Sequence, residues 1–97
     1  MAVSALLEFR FKPEVIDQVP DALSRTLAVT RQFDGCQHID VLVDDKDPNH
    51  YMLVEVWDSM EHDAAYRKFR ATPDGASPLG PLLAGPPVLT YYTTTSI

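Results

Sequence analysis

Apolar and polar positions alternate over residues 3–11, with Ala5, Leu7, Phe9 and Phe11 on one face and Leu6, Glu8 and Arg10 on the other. A period of two is that of a strand. Pro13 suits a first helical turn. Beyond it Ile16, Val19, Leu23 and Leu27 recur at threes and fours, the stripe of an amphipathic helix. Pro20 has no amide donor and should kink or restart that helix, and Asp34-Gly35 should end it. Residues 36–43 read as a second strand, the polar run 44–49 as a turn, and 50–57 as a third strand, which together make a hairpin. Asp58 or Ser59 can cap a second helix over about 59–72. Its inward face reads as Ala65, Tyr66 and Phe69, with His62 one turn earlier. The Gly- and Pro-rich stretch 73–87 reads as a shaped loop with one short helical turn around Leu79, Leu82 and Leu83. The β-branched and aromatic run 88–95 is a final strand.

The order β-α-β-β-α-β predicts one α+β domain over residues 1–97: a ferredoxin-like fold with an antiparallel four-stranded sheet and both helices on one face. On the third strand Tyr51, Leu53, Glu55 and Trp57 point one way, and Met52, Val54 and Val56 the other. Both sets are mostly apolar, yet two helices cover only one face. A second copy packing sheet on sheet is the simplest cover, so a homodimer through the sheet face is expected.

Composition narrows the partners. A chain of 97 residues that is 45% hydrophobic can fold as one domain without disulfide or metal. The lone Cys36 has no internal disulfide partner, which suits a reducing, cytoplasmic setting. Met1-Ala2-Val3-Ser4 shows no basic segment before an apolar run, so no signal peptide is expected, and no apolar stretch is long enough for a membrane. The formal net charge of −6 opposes phosphate backbones, so no nucleic-acid partner is expected. An anionic ligand would need a local basic group such as Arg70 or Arg10.

Several segments together resemble the antibiotic biosynthesis monooxygenase family. They are Leu6-Leu7-Glu8-Phe9-Arg10-Phe11-Lys12-Pro13, Phe33-Asp34-Gly35-Cys36 and Val54-Glu55-Val56-Trp57-Asp58-Ser59. The closing Leu79-Gly80-Pro81-Leu82-Leu83-Ala84-Gly85-Pro86-Pro87 resembles the ending of one subgroup. The resemblance implies a dimeric α+β barrel of ferredoxin-like subunits. It also implies a monooxygenase that oxidises a phenolic or quinol-type aromatic or polyketide with O2, without metal or cofactor. The haem-degrading branch of the family has an Asn and an iron-ligating His where Phe9 and Tyr66 stand here, so haem chemistry is not expected.

Such a reaction needs an apolar slot for the ring, a group that assists loss of a phenolic proton, and exclusion of water. Trp57 reads as a slot wall or an ordinary core indole. Glu55 shares its parity, so it should face the helices, either as a base or paired with Arg70, Arg67 or a hydroxyl. Tyr66 can offer its hydroxyl to a substrate oxygen or sit in the core. His62, four residues earlier on the same helix face, is a proton acceptor or a solvated first-turn residue. Arg70 can hold a phenolate or lie in solvent at the helix end. The candidate catalytic set is therefore Tyr66, Glu55 and His62, and the candidate substrate-binding set is Trp57, Phe69, Arg70, Phe9 and Tyr51. His38, His50 and His62 lack close ligand spacing, and Asp44, Asp45 and Asp47 lack the glycine and closing Glu of a calcium loop, so no metal site is expected. Cys36 has no basic neighbour in sequence and reads as inert. Two other readings stay open on the same scaffold: a non-catalytic small-molecule-binding or structural protein, and an isomerase or cyclase of an aromatic-pathway intermediate.

Overall fold

A computed structural model describes residues 1–97. Strands β1 (Val3–Arg10), β2 (Cys36–Asp44), β3 (Asp47–Trp57) and β4 (Val88–Tyr92) form one antiparallel sheet in the order β2-β3-β1-β4. Helices α1 (Val19–Thr30) and α2 (Met60–Arg70) connect β1 to β2 and β3 to β4. This is the α+β, ferredoxin-like topology.

Pro20 does not kink a long helix. A separate 3₁₀ segment runs over Pro13–Gln18, and α1 starts afresh with Pro20 in its first turn, where no amide is needed. The helix ends at Thr30, before Asp34-Gly35. Tight turns take over: the amides of Gln32 and Phe33 donate to the carbonyls of Val29 and Thr30. They swing Phe33 onto Tyr66, Phe69 and Trp57 at 5.2–6.2 Å between ring centroids. Gly35 follows with φ 89°, and a Cβ there would meet the His62 ring at 2.3 Å.

The hairpin is longer than the residue pattern suggested. Asp44 pairs with Asp47, so only Asp45 and Lys46 turn, and a register irregularity beside Asp44 accommodates Pro48 within β3. Ser59 caps α2, its Oγ accepting from the His62 amide. Residues 73–87 hold two 3₁₀ turns, Pro73–Gly75 and Gly80–Leu82. Backbone bonds from Lys12 N to Leu82 O and from Ala84 N to Arg10 O fix the second turn to the end of β1. Strand β4 stops at Tyr92, short of Thr95.

Parity on β3 follows the pattern. Leu53, Glu55 and Trp57 are buried under the helices. The larger core cluster includes Phe9, Phe11, Leu23, Leu27 and Leu53, and a smaller one joins Val3, Ala5, Trp57 and Tyr66. On the other face Met52, Val54 and Val56 are only half-buried, and Leu42, Val88 and Tyr92 are at least half exposed. No helix of this chain covers that apolar face.

Candidate functional site

Three residues lie in one row across the sheet: Glu55 on β3 and Tyr91 on β4 both pair with Ala5 on β1. The small Ala5 between them leaves space that α2 fills with polar groups. Period 3,4 puts Asp63, Tyr66, Arg67 and Arg70 on the sheet-facing side of α2. Ala65, expected inward, is exposed.

Glu55 is 1% exposed and Asp63 is 1% exposed. Both are paired, as a buried carboxylate requires. One nitrogen of Arg67, Nη2, donates to Glu55 Oε1 at 2.7 Å and to Asp63 Oδ2 at 3.0 Å. Burial works against the charged guanidinium, but Glu55 and Asp63 more than offset it and hold its proton above the usual Arg range. The indole Nε1 of Trp57 donates to the same Glu55 Oε1 at 3.1 Å. Both hydrogen bonds to Glu55 thus fall on Oε1, and Oε2 receives none. Asp63 Oδ1 accepts from the Tyr91 hydroxyl. Burial first, and that bond to Asp63 second, push the Tyr91 phenol up.

Tyr66 anchors a second network. Its hydroxyl accepts from Arg70 Nε at 2.7 Å and lies 2.6 Å from Thr30 Oγ1. Thr30 Oγ1 donates to the Thr26 carbonyl at 3.1 Å and accepts from Arg70 Nη2 at 2.9 Å. Thr30 has one proton to share between the Thr26 carbonyl and Tyr66; with it on the carbonyl, the Tyr66 proton points at Thr30. Arg70 also donates to the carbonyls of Gly75 and Thr26. Its guanidinium lies 5.1 Å from the Tyr66 ring centroid, that of Arg67 5.0 Å, and Trp57 lies 4.9 Å from the same ring.

These groups form one end of a cleft of about 240 Å³ between sheet, α1, α2 and the 73–87 loop. Leu7, Phe9, Leu27, Leu53, Leu79 and Leu83 make its apolar walls, and Glu55, Tyr66, Arg67, Arg70, Thr26 and Ser77 its polar lining. Of the residues singled out by sequence, the fold brings Glu55, Tyr66, Arg70 and Phe9 together here. Four others lie elsewhere. Trp57 faces the helices as expected but is 0% exposed and stands behind Tyr66, not on the cleft wall. Phe69 packs on Phe33, and Tyr51 packs edge-on against Phe11. The His62 ring bonds Ser59 through Nδ1 at 2.7 Å and lies against Gly35, outside the cleft. The residue pattern points to Arg67 only as an ion-pair partner and does not single out Asp63, Thr26, Thr30 or Tyr91. The 63, 66, 67, 70 spacing was the available signal.

The remaining histidines are engaged with carboxylates on the open sheet face. His50 bridges Glu8 at 2.7 Å and Asp44 at 2.8 Å, and His38 pairs with Asp40 at 3.0 Å. No group of three or more His, Cys, Asp or Glu residues has an arrangement able to hold a metal.

The sequence profile described as "Antibiotic biosynthesis monooxygenase" matches residues 2–74. That is most of the chain, and it carries β1 through α2; the cleft wall supplied by Ser77, Leu79 and Leu83 lies beyond it. The chain belongs to this family. No curated protein matches it. Among solved structures it is similar to an antibiotic biosynthesis monooxygenase, with 24% identity, a TM-score of 0.80, and 96% of this chain and 98% of that one covered. It is also similar to Rv0793 from Mycobacterium tuberculosis, with 21% identity, a TM-score of 0.78, and 100% and 98% covered. A third is SnoaB, a cofactor-independent oxygenase from Streptomyces nogalater, with 18% identity, a TM-score of 0.79, and 99% and 95% covered. At these identities the likeness establishes the fold. No helix is long and apolar enough to cross a membrane.

Proposed function

We propose that this chain is a cofactor-independent monooxygenase that oxidises a phenolic or quinol-type aromatic with O2. It would act as a cytoplasmic homodimer joined through the open sheet face. One observation carries the reading: a buried carboxylate, Glu55, borders an apolar cleft with both of its hydrogen bonds on Oε1, so Oε2 is free to take a proton. A neutral phenol entering the cleft gives its proton to Glu55 Oε2. The electron-rich anion then meets O2 against the apolar walls of the cleft. On an anthrone-type substrate one oxygen atom becomes the new carbonyl, and the other leaves as water with the two hydrogens of that carbon. Family membership supports the reading, and SnoaB, of the same fold, is a cofactor-independent oxygenase.

Tyr66 and Arg70 are assigned a supporting role, because their hydrogen bonds are spent on Thr30, Thr26 and Gly75. His62 and Trp57 are not assigned contact with substrate. The same satisfied network favours a second reading, a protein that binds an aromatic without converting it. Oxygen uptake with hydroquinones and anthrones, without added metal or flavin, separates the two. Glu55→Gln should lower kcat/KM about 10²–10⁴-fold. Binding without O2 uptake across the panel would favour the second reading. Turnover without O2 uptake would instead point to an isomerase or cyclase.

A further inference from the structure

Arg67 Nη2 holds two carboxylates at once, and one of them reaches back to another strand. Asp63 is as buried as Glu55, sits one turn before Arg67 on α2, and takes the Tyr91 hydroxyl on its other oxygen. No hydrogen bond links Asp63 to Glu55 directly, and neither Asp63 nor Tyr91 lines the cleft. We propose that Asp63 and Tyr91 are positioning residues that set how much of the Arg67 charge reaches Glu55, and so how readily Glu55 accepts a proton.

The argument is competition for one donor group. Arg67 Nη2 gives one hydrogen to each acid, so the two carboxylates share one positive charge, and the negative charge on Asp63 offsets part of what Glu55 feels. A hydrogen bond from Tyr91 partly satisfies Asp63 and weakens its draw. The other groups facing Glu55 are fixed: Arg70 and Tyr66 are tied to Thr30, and Trp57 donates to Oε1. Cys36 on β2 has its thiol pushed up by burial and then by the Glu55 charge, so it stays neutral. The adjustable part is therefore the Tyr91–Asp63–Arg67 line. The proposal deepens the reading of Glu55 as a base and rests on it for its effect on turnover.

The signs follow. Asp63→Asn removes the competing charge, gives Arg67 wholly to Glu55, and favours the carboxylate. Tyr91→Phe removes the donor from Asp63 and strengthens its pull on the Arg67 charge; the loss of the hydroxyl's own contact with Arg67 works against this and keeps the step small, and the net direction favours protonated Glu55. The acid limb of the pH profile of kcat/KM should move to lower pH in Asp63→Asn and, by a smaller step, to higher pH in Tyr91→Phe. Substrate-free NMR titration of the Glu55 side-chain carboxyl in Glu-labelled protein should show the same opposite displacements. A merely structural role lowers the rate in both variants without moving either readout in opposite senses, and that result overturns the proposal. If Asp63→Asn does not fold, Tyr91→Phe decides alone, and no upward displacement overturns it. Opposite NMR displacements in a protein that Glu55→Gln leaves fully active would uphold the coupling and reject Glu55 as the base. An activity that depends on Glu55 with displacements absent would do the reverse.

Discussion

Tyr66→Phe tests the direction of the buried hydroxyl network. The substitution removes one oxygen and keeps the ring that Trp57, Phe33 and the two guanidiniums pack against. Thr30 keeps its bond to Thr26 and its bond from Arg70 Nη2, so it loses little. Arg70 Nε loses its acceptor at 2.7 Å. A bond to a charged group contributes about 1.5–3 kcal/mol net, and an unsatisfied buried donor costs a similar amount. Arg70 is half-buried, so water can partly replace the oxygen, and the low end applies, about 1.5 kcal/mol. In a domain of this size each kcal/mol moves Tm by about 4–8 °C, so a fall of about 6–12 °C is expected. The assay is thermal unfolding by circular dichroism at matched protein concentration, because dimer formation would make Tm concentration-dependent. A Tm within about 2 °C of the unmodified protein would mean that the bond is not formed. Activity supplies a second check. With its proton committed to Thr30, the hydroxyl should matter less than Glu55, and kcat/KM should fall by less than about tenfold. A loss as large as that in Glu55→Gln would put the hydroxyl on the substrate and refute the assigned direction.

On the open face, Asp44 and then Glu8 hold His50 protonated above its ordinary 6.5, and His50 in turn holds Asp44 below its ordinary 3.8. The raised His50 stabilises most below about pH 6.5 and loses this as pH rises through its folded value, whereas Asp44 loses its contribution as pH falls below about 4. The melting difference between the unmodified protein and His50→Gln should therefore be larger near about pH 5.5 than near about pH 8.5. Val54→Asp should break the proposed dimer or the fold by burying an unpaired carboxylate. Light scattering that shows a well-folded monomer in the unmodified protein would sink that expectation. Gly35→Ala combines a strained φ of 89° with a 2.3 Å approach to the His62 ring, so a loss of about 1–3 kcal/mol is expected in chemical denaturation. Haem titration should give no stoichiometric complex with an axial His.

The sheet was legible because burial on one face enforces a period of two, and Trp57, Glu55 and Leu53 fell where that period put them. The inward face of α2 was not, because hydropathy selects Ala65 and Phe69, whereas the helix buries Asp63 and Arg67. A carboxylate is affordable inside only with partners, and those of Asp63 lie four residues away on α2 and 28 residues away on β4. No local window contains both. Trp57 misled for the opposite reason. A large indole at a strand end can wall a cavity or fill it, and which it does depends on Phe33, carried there by turns after α1. The 73–87 loop closes the cleft through backbone bonds from Lys12 and Ala84, which leave no side-chain signature.

Charge balance ties the site to its chemistry. The whole chain carries 14 acidic and 8 basic side chains, an excess that would repel a phenolate. The polar groups around the cleft are balanced instead, with Glu55 and Asp63 against Arg67 and Arg70. A neutral phenol therefore meets no net charge on entering. In the proposed reaction the proton moves to Glu55, and the negative charge moves from Glu55 to the phenolate oxygen beside the same guanidiniums. The cleft holds the same total charge before and after, so no new charge is desolvated during the transfer. A fixed pair of cations with a movable anion lowers the cost of making a phenolate in an apolar site. Replacing Arg67 with Met should abolish that balance. Glu55 and Asp63 would then face each other without a cation between them, one would take up a proton, and the protein should lose stability by about 3–5 kcal/mol, read as a lowered midpoint in urea. A midpoint that stays unchanged would show that the two carboxylates do not depend on Arg67, and the shared-cation account of the site would fall with it.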